Sequence, residues 1–344
     1  MRDLRAIVVG CGAMSGAWLG AAAETDGLEV VGLADLDRDR AAARAAEFHL
    51  HVPIENDAVA LIERLKPDLV FDIVVPEARR DIVLAAFRHG CDVLSEKPLA
   101  DTLDHAEELV AAAHATGRVH AVMQNRRYLA GTRRARRFVA SGAIGELTAL
   151  HCDFFVGPHF GGFREKMDHV LLIDMAIHTF DMARTIAGAT PVAVYCQENN
   201  PSNSWFKHGA AANAIFEFGD GAVFNYRGSW SAEGLRTSWQ GAWRLIGTQG
   251  TMTWDGEEDF RAERPISSGA LVRDVEPIAI PPFDPVDAAG GHAGVIRDFI
   301  AALREGREPE TVSHENIKSL AMCFAAIDSA TTGGRALLDL KGLK

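Results

Sequence analysis

The chain has 344 residues, 48% of them hydrophobic and 24% charged, a composition that suits a soluble globular protein long enough for two domains. A formal net charge of −12 argues against a nucleic-acid partner, and five scattered cysteines with no CxxC pair argue against a disulfide framework or structural zinc. With no basic-then-apolar leader and no apolar run long enough to cross a bilayer, a cytoplasmic protein without a membrane partner is expected.

Ala6 to Val9 reads as a β-branched strand, followed at once by Gly10-Cys11-Gly12-Ala13-Met14-Ser15-Gly16 and an apolar helix from Ala17 to Thr25. Strand, glycine turn and helix in that order form the context in which a GxGxxG-like run binds a dinucleotide. Gly10 permits the tight turn, and Gly12 lets a pyrophosphate approach the backbone. Ala13 and Met14 lead into a helix start whose free N–H groups and positive dipole end suit phosphate. Ser15 stands where the third glycine would fall and Gly16 follows, a variant that still allows close helix-strand packing. The next strand, Glu29 to Ala34, ends in Asp35, placed to accept hydrogen bonds from an adenosine ribose. That favours NAD, while Arg38 and Arg40 just beyond also admit NADP.

Helices at 39–47 and 57–64, a strand from Leu69 to Val75 and a helix from Asp81 to His89 continue the alternation. Gly90 caps that last helix, and Cys91 to Ser95 reads as a buried strand that delivers Glu96-Lys97-Pro98. Proline pushes the residue before it into extended backbone, so Lys97 is held at a strand end, where open α/β sheets bind their ligands. A helix from Leu103 to Ala115 and a strand from Val119 to Met123 complete a doubly wound parallel sheet ending near Gln124.

With these motifs together the chain resembles the Gfo/Idh/MocA family, the group of glucose-fructose oxidoreductase and inositol dehydrogenases. The likeness runs almost the full length. It includes Glu96-Lys97-Pro98, Gln124-Asn125-Arg126-Arg127-Tyr128, Ile144-Gly145-Glu146 and Asp174-Met175-Ala176-Ile177-His178. The resemblance implies an N-terminal NAD(P)-binding Rossmann domain over 1–124. It also implies an α+β substrate and oligomerisation domain over 125–344 with a large, mostly antiparallel open sheet, assembled as a homodimer or homotetramer through that sheet. Glu96, Lys97 and Asn125 are implied at the cofactor and Arg126 at the substrate. The loop Val75-Pro76-Glu77-Ala78-Arg79-Arg80 departs from the family, whose members often carry Thr or Asn before the proline and His at the end. Val75 and Pro76 are therefore expected to meet the cofactor through backbone only.

In the second half, Leu171 to Ala187 reads as one helix with Leu171, Met175, His178 and Met182 along a stripe. Asp174 and His178 are four apart and share a face, and an apolar stripe rarely carries two ionisable groups without purpose. The same spacing with His169 or His151 would suit a metal, but no HExxH or cysteine pair accompanies them and no metal is expected. Oxidising a carbinol carbon needs a base for the hydroxyl proton and a donor for the developing oxyanion. His178 is assigned as base, Lys97 as the cation on the alkoxide and Asp174 as the orienting group; Lys97 as the immediate proton acceptor stays open. Phe160, Arg164 and Trp205, among mixed aromatic, amide and imidazole residues, suit a sugar or polyol substrate.

Alternating strands follow at 212–218, 222–230, 242–247 and 251–254, with Phe216, Phe218 and Phe224, or their neighbours, placed on the face left for a subunit interface. Residues 267–291 read as irregular, and helices from His292 to Arg304 and Glu315 to Ala330 close the chain. Arg133, Arg134, Arg136 and Arg137 fall on more than one helix face and read as solvated surface. The leading activity is an NAD(P)-dependent dehydrogenase acting on a CH–OH donor. An NAD-assisted glycoside hydrolase and a non-catalytic dinucleotide sensor are the alternatives.

Overall fold

The computed structural model describes residues 2–266, 271–288 and 290–338. The described residues fall into two compact units: 2–125 with 290–317, and 126–266 and 271–288 with 318–338.

The first unit alternates strand and helix: β1 (Leu4–Val9), α1 (Ser15–Ala23), β2 (Leu28–Ala34), α2 (Arg38–Glu47), β3 (Ile54–Glu55) and α3 (Ala58–Leu65). It continues through β4 (Leu69–Asp72), α4 (Pro76–Arg88), β5 (Asp92–Ser95), α5 (Leu103–Thr116) and β6 (His120–Val122). All neighbours are parallel in the order β3-β2-β1-β4-β5-β6, so strand order reverses between β1 and β4. At such a switch point the crevice beyond the strand ends binds ligand. Two boundaries differ from the sequence reading by three residues or more. β4 stops at Asp72, and α4 begins at Pro76, five residues before Asp81, because proline at the first helical position lacks only an N–H that would be unpaired anyway. β3, a two-residue edge strand, was hidden in what reads as a connection.

The second unit holds α6 (Ala130–Ala140), β7 (Leu147–Phe155), α7 (Ile177–Ala187), β8 (Pro191–Asn199), β9 (Ala211–Phe218) and β10 (Val223–Ser229). After these come β11 (Ala242–Gly247), β12 (Thr251–Trp254), β13 (Phe260–Pro265) and β14 (Val275–Pro277). α8 (Gly291–Glu305) belongs with the first unit, α9 (Ser313–Thr332) follows, and β15 (Ala336–Leu337) joins the large sheet. That nine-stranded sheet runs β14-β13-β12-β11-β7-β10-β9-β8-β15 and is antiparallel except where β7 meets β10. The expected irregular stretch thus contains β14; positions 267–270 and 289 of it lie outside the described residues.

Of the phenylalanines and their neighbours, it is the neighbours that the open face carries. Phe216, Phe218 and Phe224 are buried within the unit, not left for a partner. Phe180 of α7 meets Phe216 at 4.8 Å and Tyr226 at 5.2 Å edge-on, and stacked rings continue from Phe224 to Trp243, Trp254 and Phe260. Period-two alternation separates two faces but does not say which one a helix will cover. Burying a phenylalanine contributes roughly 1.5–3 kcal/mol, so Phe180 is enough to fix the roll of α7 and with it His178, two residues earlier. The open face instead carries Tyr195 and Ile215, each about half exposed, beside a 2.5 Å Arg227–Asp153 ion pair. α6 also corrects an expectation. Arg137 pairs with Asp287 at 2.7 Å, and Arg134 lies over the rings of Phe260 and Phe283, so these arginines hold the unit together rather than merely facing water.

Candidate active site

The cofactor crevice begins where β1 ends. Gly10 has φ +94°, and a Cβ there would meet the Ile73 carbonyl oxygen at 2.6 Å, so only glycine makes this turn. A Cβ at Gly12 would meet nothing within 4 Å; it would project into open space where a ligand can lie against the backbone. The Asp35 carboxylate accepts from the Cys11 N–H at 2.7 Å and the Asp37 N–H at 2.8 Å, which aims it while leaving lone pairs for hydroxyls. A cavity of about 810 Å³ is lined by Gly10, Gly12, Asp35, Arg40, Val74 and Val75 among others. These features fit an adenine dinucleotide. Arg40 lines the cavity and stands 3.8 Å from Asp35, whereas Arg38 is exposed and is not among the lining residues. Ser15 donates to the Gly12 carbonyl at 2.7 Å, which explains how it replaces the third glycine. Ala13 and Met14 are exposed at the turn, and Met14 caps α1 with no side-chain hydrogen bond. Val75 caps α4 in the same bare way ahead of Pro76.

β5 delivers Glu96 and a half-buried Lys97, joined to Pro98 by a cis peptide bond. Glu96 accepts from the Trp18 indole at 3.3 Å and from the Lys97 N–H at 2.7 Å. His292 of α8 lies 3.8 Å from it and 3.4 Å from the Asn125 amide. Burial works to raise the Glu96 carboxyl, but His292 and the Lys97 charge outweigh it and hold the group below its usual range. Beneath the turn, fully buried Arg79 bonds Asp72 at 2.7 Å and the Val74 carbonyl at 2.8 Å, and also donates to the Pro98 carbonyl. The sequence reading gave no site role to Trp18, Arg79, His120 or His292, because each meets its partner only when separate elements of the unit pack together.

His120 meets the Ser95 hydroxyl at 3.0 Å, and burial, with the Arg79 charge, pushes its imidazole down to about 3. Unfolded histidine takes up a proton near pH 6.5, so between about pH 6.5 and 3 the unfolded chain binds the extra proton. Stability is then fully present above that window and is lost as pH falls through it. His120 alone is expected to contribute a slope of at most about 1.4 kcal/mol per pH unit. Urea unfolding of wild type and His120→Gln across this window checks it; identical slopes would refute the assignment.

In the second unit the expected single helix is two things. Leu171–Ala176 is π-helical and runs into α7, a widened turn of the kind often found at functional sites. The sequence does not mark the widened turn because Ile177 to Ile186 are all buried, which leaves no exposed face whose period would shift. Asp174 sits in the π segment and receives Arg164 at 2.7 Å; His178, 9% exposed, sits in the first turn of α7. Arg164 lies over Phe160 and Phe163 at 5.3 and 4.7 Å. Phe160 meets Trp239 at 6.2 Å, Arg126 donates to the Trp239 carbonyl, and Arg126 reaches the Met175 sulfur at 3.6 Å. These contacts close a ring of Arg126, Met175, Asp174, Arg164, Phe160 and Trp239. Trp205 is not in it: it stacks on His159 at 3.8 Å and bonds the Pro158 carbonyl. Trp239 was missed because nothing in its neighbourhood marks it. His169 pairs with Glu198 at 2.5 Å and His151 lies on β7; among the described residues no group of three or more His, Cys, Asp or Glu is placed to hold a metal. No helix among the described residues is long and apolar enough to cross a membrane.

Residues 4–124 match the model of an oxidoreductase family with an NAD-binding Rossmann fold, and residues 132–253 match the GFO/IDH/MocA C-terminal domain. The chain belongs to the GFO/IDH/MocA family of oxidoreductases, and its first unit is an NAD-binding domain. It is similar to the 1,5-anhydro-D-fructose reductase of Ensifer adhaerens, 25% identical over 343 residues that take in 96% of this chain and 98% of that one. It is also similar to the D-apiose dehydrogenase of Paraburkholderia graminis, 26% identical over 355 residues, covering 100% and 92%. Among solved structures, an oxidoreductase from Agrobacterium radiobacter in complex with NAD+, L-tartaric acid and magnesium shares the fold at a TM-score of 0.86, with 21% identity and 98% of each chain covered.

Proposed function

We propose that the protein is an NAD-dependent dehydrogenase that oxidises a secondary or anomeric hydroxyl of a sugar or inositol. The observation that carries the reading is the placement of His178 on a helix locked by Phe180, one turn beyond an Asp174 that opens onto an aromatic and arginine ring. Relatives that act on anhydro-sugar and branched-sugar substrates support the same class. Bound NAD+ supplies the hydride acceptor. His178 takes the hydroxyl proton, Lys97 steadies the oxygen as its negative charge grows, and Asp174 orients the substrate. Asp35, fixed by backbone donors at the β2 end, holds the adenosine ribose and disfavours a 2′-phosphate, which selects NAD over NADP. The open face of the large sheet is assigned to a second copy of this chain.

The test is nicotinamide absorbance with purified protein, NAD or NADP, and a panel of sugars, inositols and aryl glycosides, with sedimentation of the same sample. NADH accumulating with one polyol, from a dimer or tetramer, is expected. A flat trace while aryl glycosides are cleaved would overturn the dehydrogenase reading in favour of NAD-assisted hydrolysis, and a monomer would overturn the second-copy assignment.

A further inference from the structure

The ring around Asp174 is not electrically balanced. Arg164 is answered by Asp174 at 2.7 Å, Arg127 by Asp181 at 2.5 Å and Arg137 by Asp287 at 2.7 Å. Arg126 has no such answer. Its guanidinium bonds are to the Trp239 carbonyl and the Met175 sulfur, and among the described residues no carboxylate lies within 4.0 Å of it. The ionisable groups that oppose its burial are Cys152 and Tyr226, both lifted well above their ordinary values by their own burial and therefore uncharged at neutral pH. Burial pulls Arg126 down only to about 10, so it remains a cation.

A guanidinium offers five N–H donors in a planar fork that matches a carboxylate, and only part of that fork is committed here. A half-buried guanidinium without a counter-charge gives up hydration that no fixed anion returns, and such a cost is kept where a ligand supplies the missing anion. With two arginines and one aspartate the ring is one positive charge in excess, and Trp239 and Phe160, 42% and 52% exposed, present flat apolar faces beside it. Met175, which touches Arg126, lies one turn before His178 on the same continuous helical run.

We propose that the substrate is a polyhydroxylated carboxylate, a sugar acid, whose carboxylate is received by Arg126 while Phe160 and Trp239 cover its C–H face. The inference rests on the dehydrogenase reading above and narrows its substrate class. Hydrogen bonds to a charged group contribute about 1.5–3 kcal/mol, or roughly 10- to 150-fold in affinity.

The experiment compares pairs differing in the acid group: D-gluconate with D-glucitol, and D-glucuronate with D-glucose. The acid of a pair is expected to be oxidised with kcat/KM higher by roughly 10- to 150-fold. Arg126→Gln should raise KM for the acid far more than for its neutral partner and so erase that preference, with NADH binding to the first unit retained, and Arg126→Lys should restore part of it. Calorimetric binding of the same acids to wild type and to both variants separates the two claims. Acids that bind wild type but not Arg126→Gln, with no polyol reducing NAD, keep the anion site and sink the dehydrogenase. NADH formed equally well from neutral partners, an equal loss on acid and neutral substrates in Arg126→Gln, or no acid binding at all would overturn the anion site.

Discussion

Replacing His178 with alanine is expected to lower kcat for polyol oxidation by roughly 10²- to 10⁴-fold, the usual contribution of a positioned general base, while NADH binding measured by nicotinamide fluorescence is unchanged. The separation follows from the architecture. The dinucleotide crevice is built by β1, β2 and the β4–α4 turn of the first unit, and His178 belongs to the second. Phe180 keeps α7 in place whether or not the imidazole is present, so the loss should be chemical and not a loss of fold. Lys97→Met decides between the two acceptors the chemistry allows. If Lys97 takes the proton directly, Lys97→Met carries the larger loss in kcat and His178→Ala the smaller. A His178→Ala enzyme with the wild-type rate would end the assignment of the base.

What the sequence disclosed and what it hid divide along a physical line. Gly10, Gly12 and Asp35 were legible because their jobs are local: a turn that only glycine makes, and an acid at the end of the next strand. The place of Lys97 at a strand end was legible because Pro98 sits beside it, whereas the spacing of Asp174 and His178 assumed one α-helix and the structure puts Asp174 in the π segment before α7. The π turn over Leu171–Ala176 was not legible, since α7 beyond it is buried on every side and offers no polar face to show a change of register. Which face of β9 and β10 stays open was not legible, because Phe216 and Phe224 alternate with Ile215 and Asn225 whichever side α7 covers. The arginines of α6 read as surface because the partners that engage them, Asp287, Phe260 and Phe283, come from far downstream. The support for Lys97 was likewise invisible: Asp72, Arg79 and His120 meet only once three parallel strands are side by side.

That support makes the second strong prediction. Arg79→Met is expected to destabilise the protein by about 3–5 kcal/mol, because it leaves the Asp72 carboxylate, fully buried, without its counter-charge. Against a typical total of about 5–15 kcal/mol this is a large fraction, and it should appear as a lower urea midpoint at neutral pH. The same guanidinium holds the Val74 and Pro98 carbonyls, one on the dinucleotide crevice and the other next to Lys97. The variant should therefore also lose kcat at temperatures where it is still folded. An apolar pair often replaces a buried ion pair at little cost, so Asp72→Leu combined with Arg79→Met should recover much of the stability lost in either single variant. It should not recover kcat, since the two carbonyls still lack their donor. A loss under about 1 kcal/mol in Arg79→Met, or a double variant as unstable as the sum of the singles, would mean that the pair is not what holds this turn.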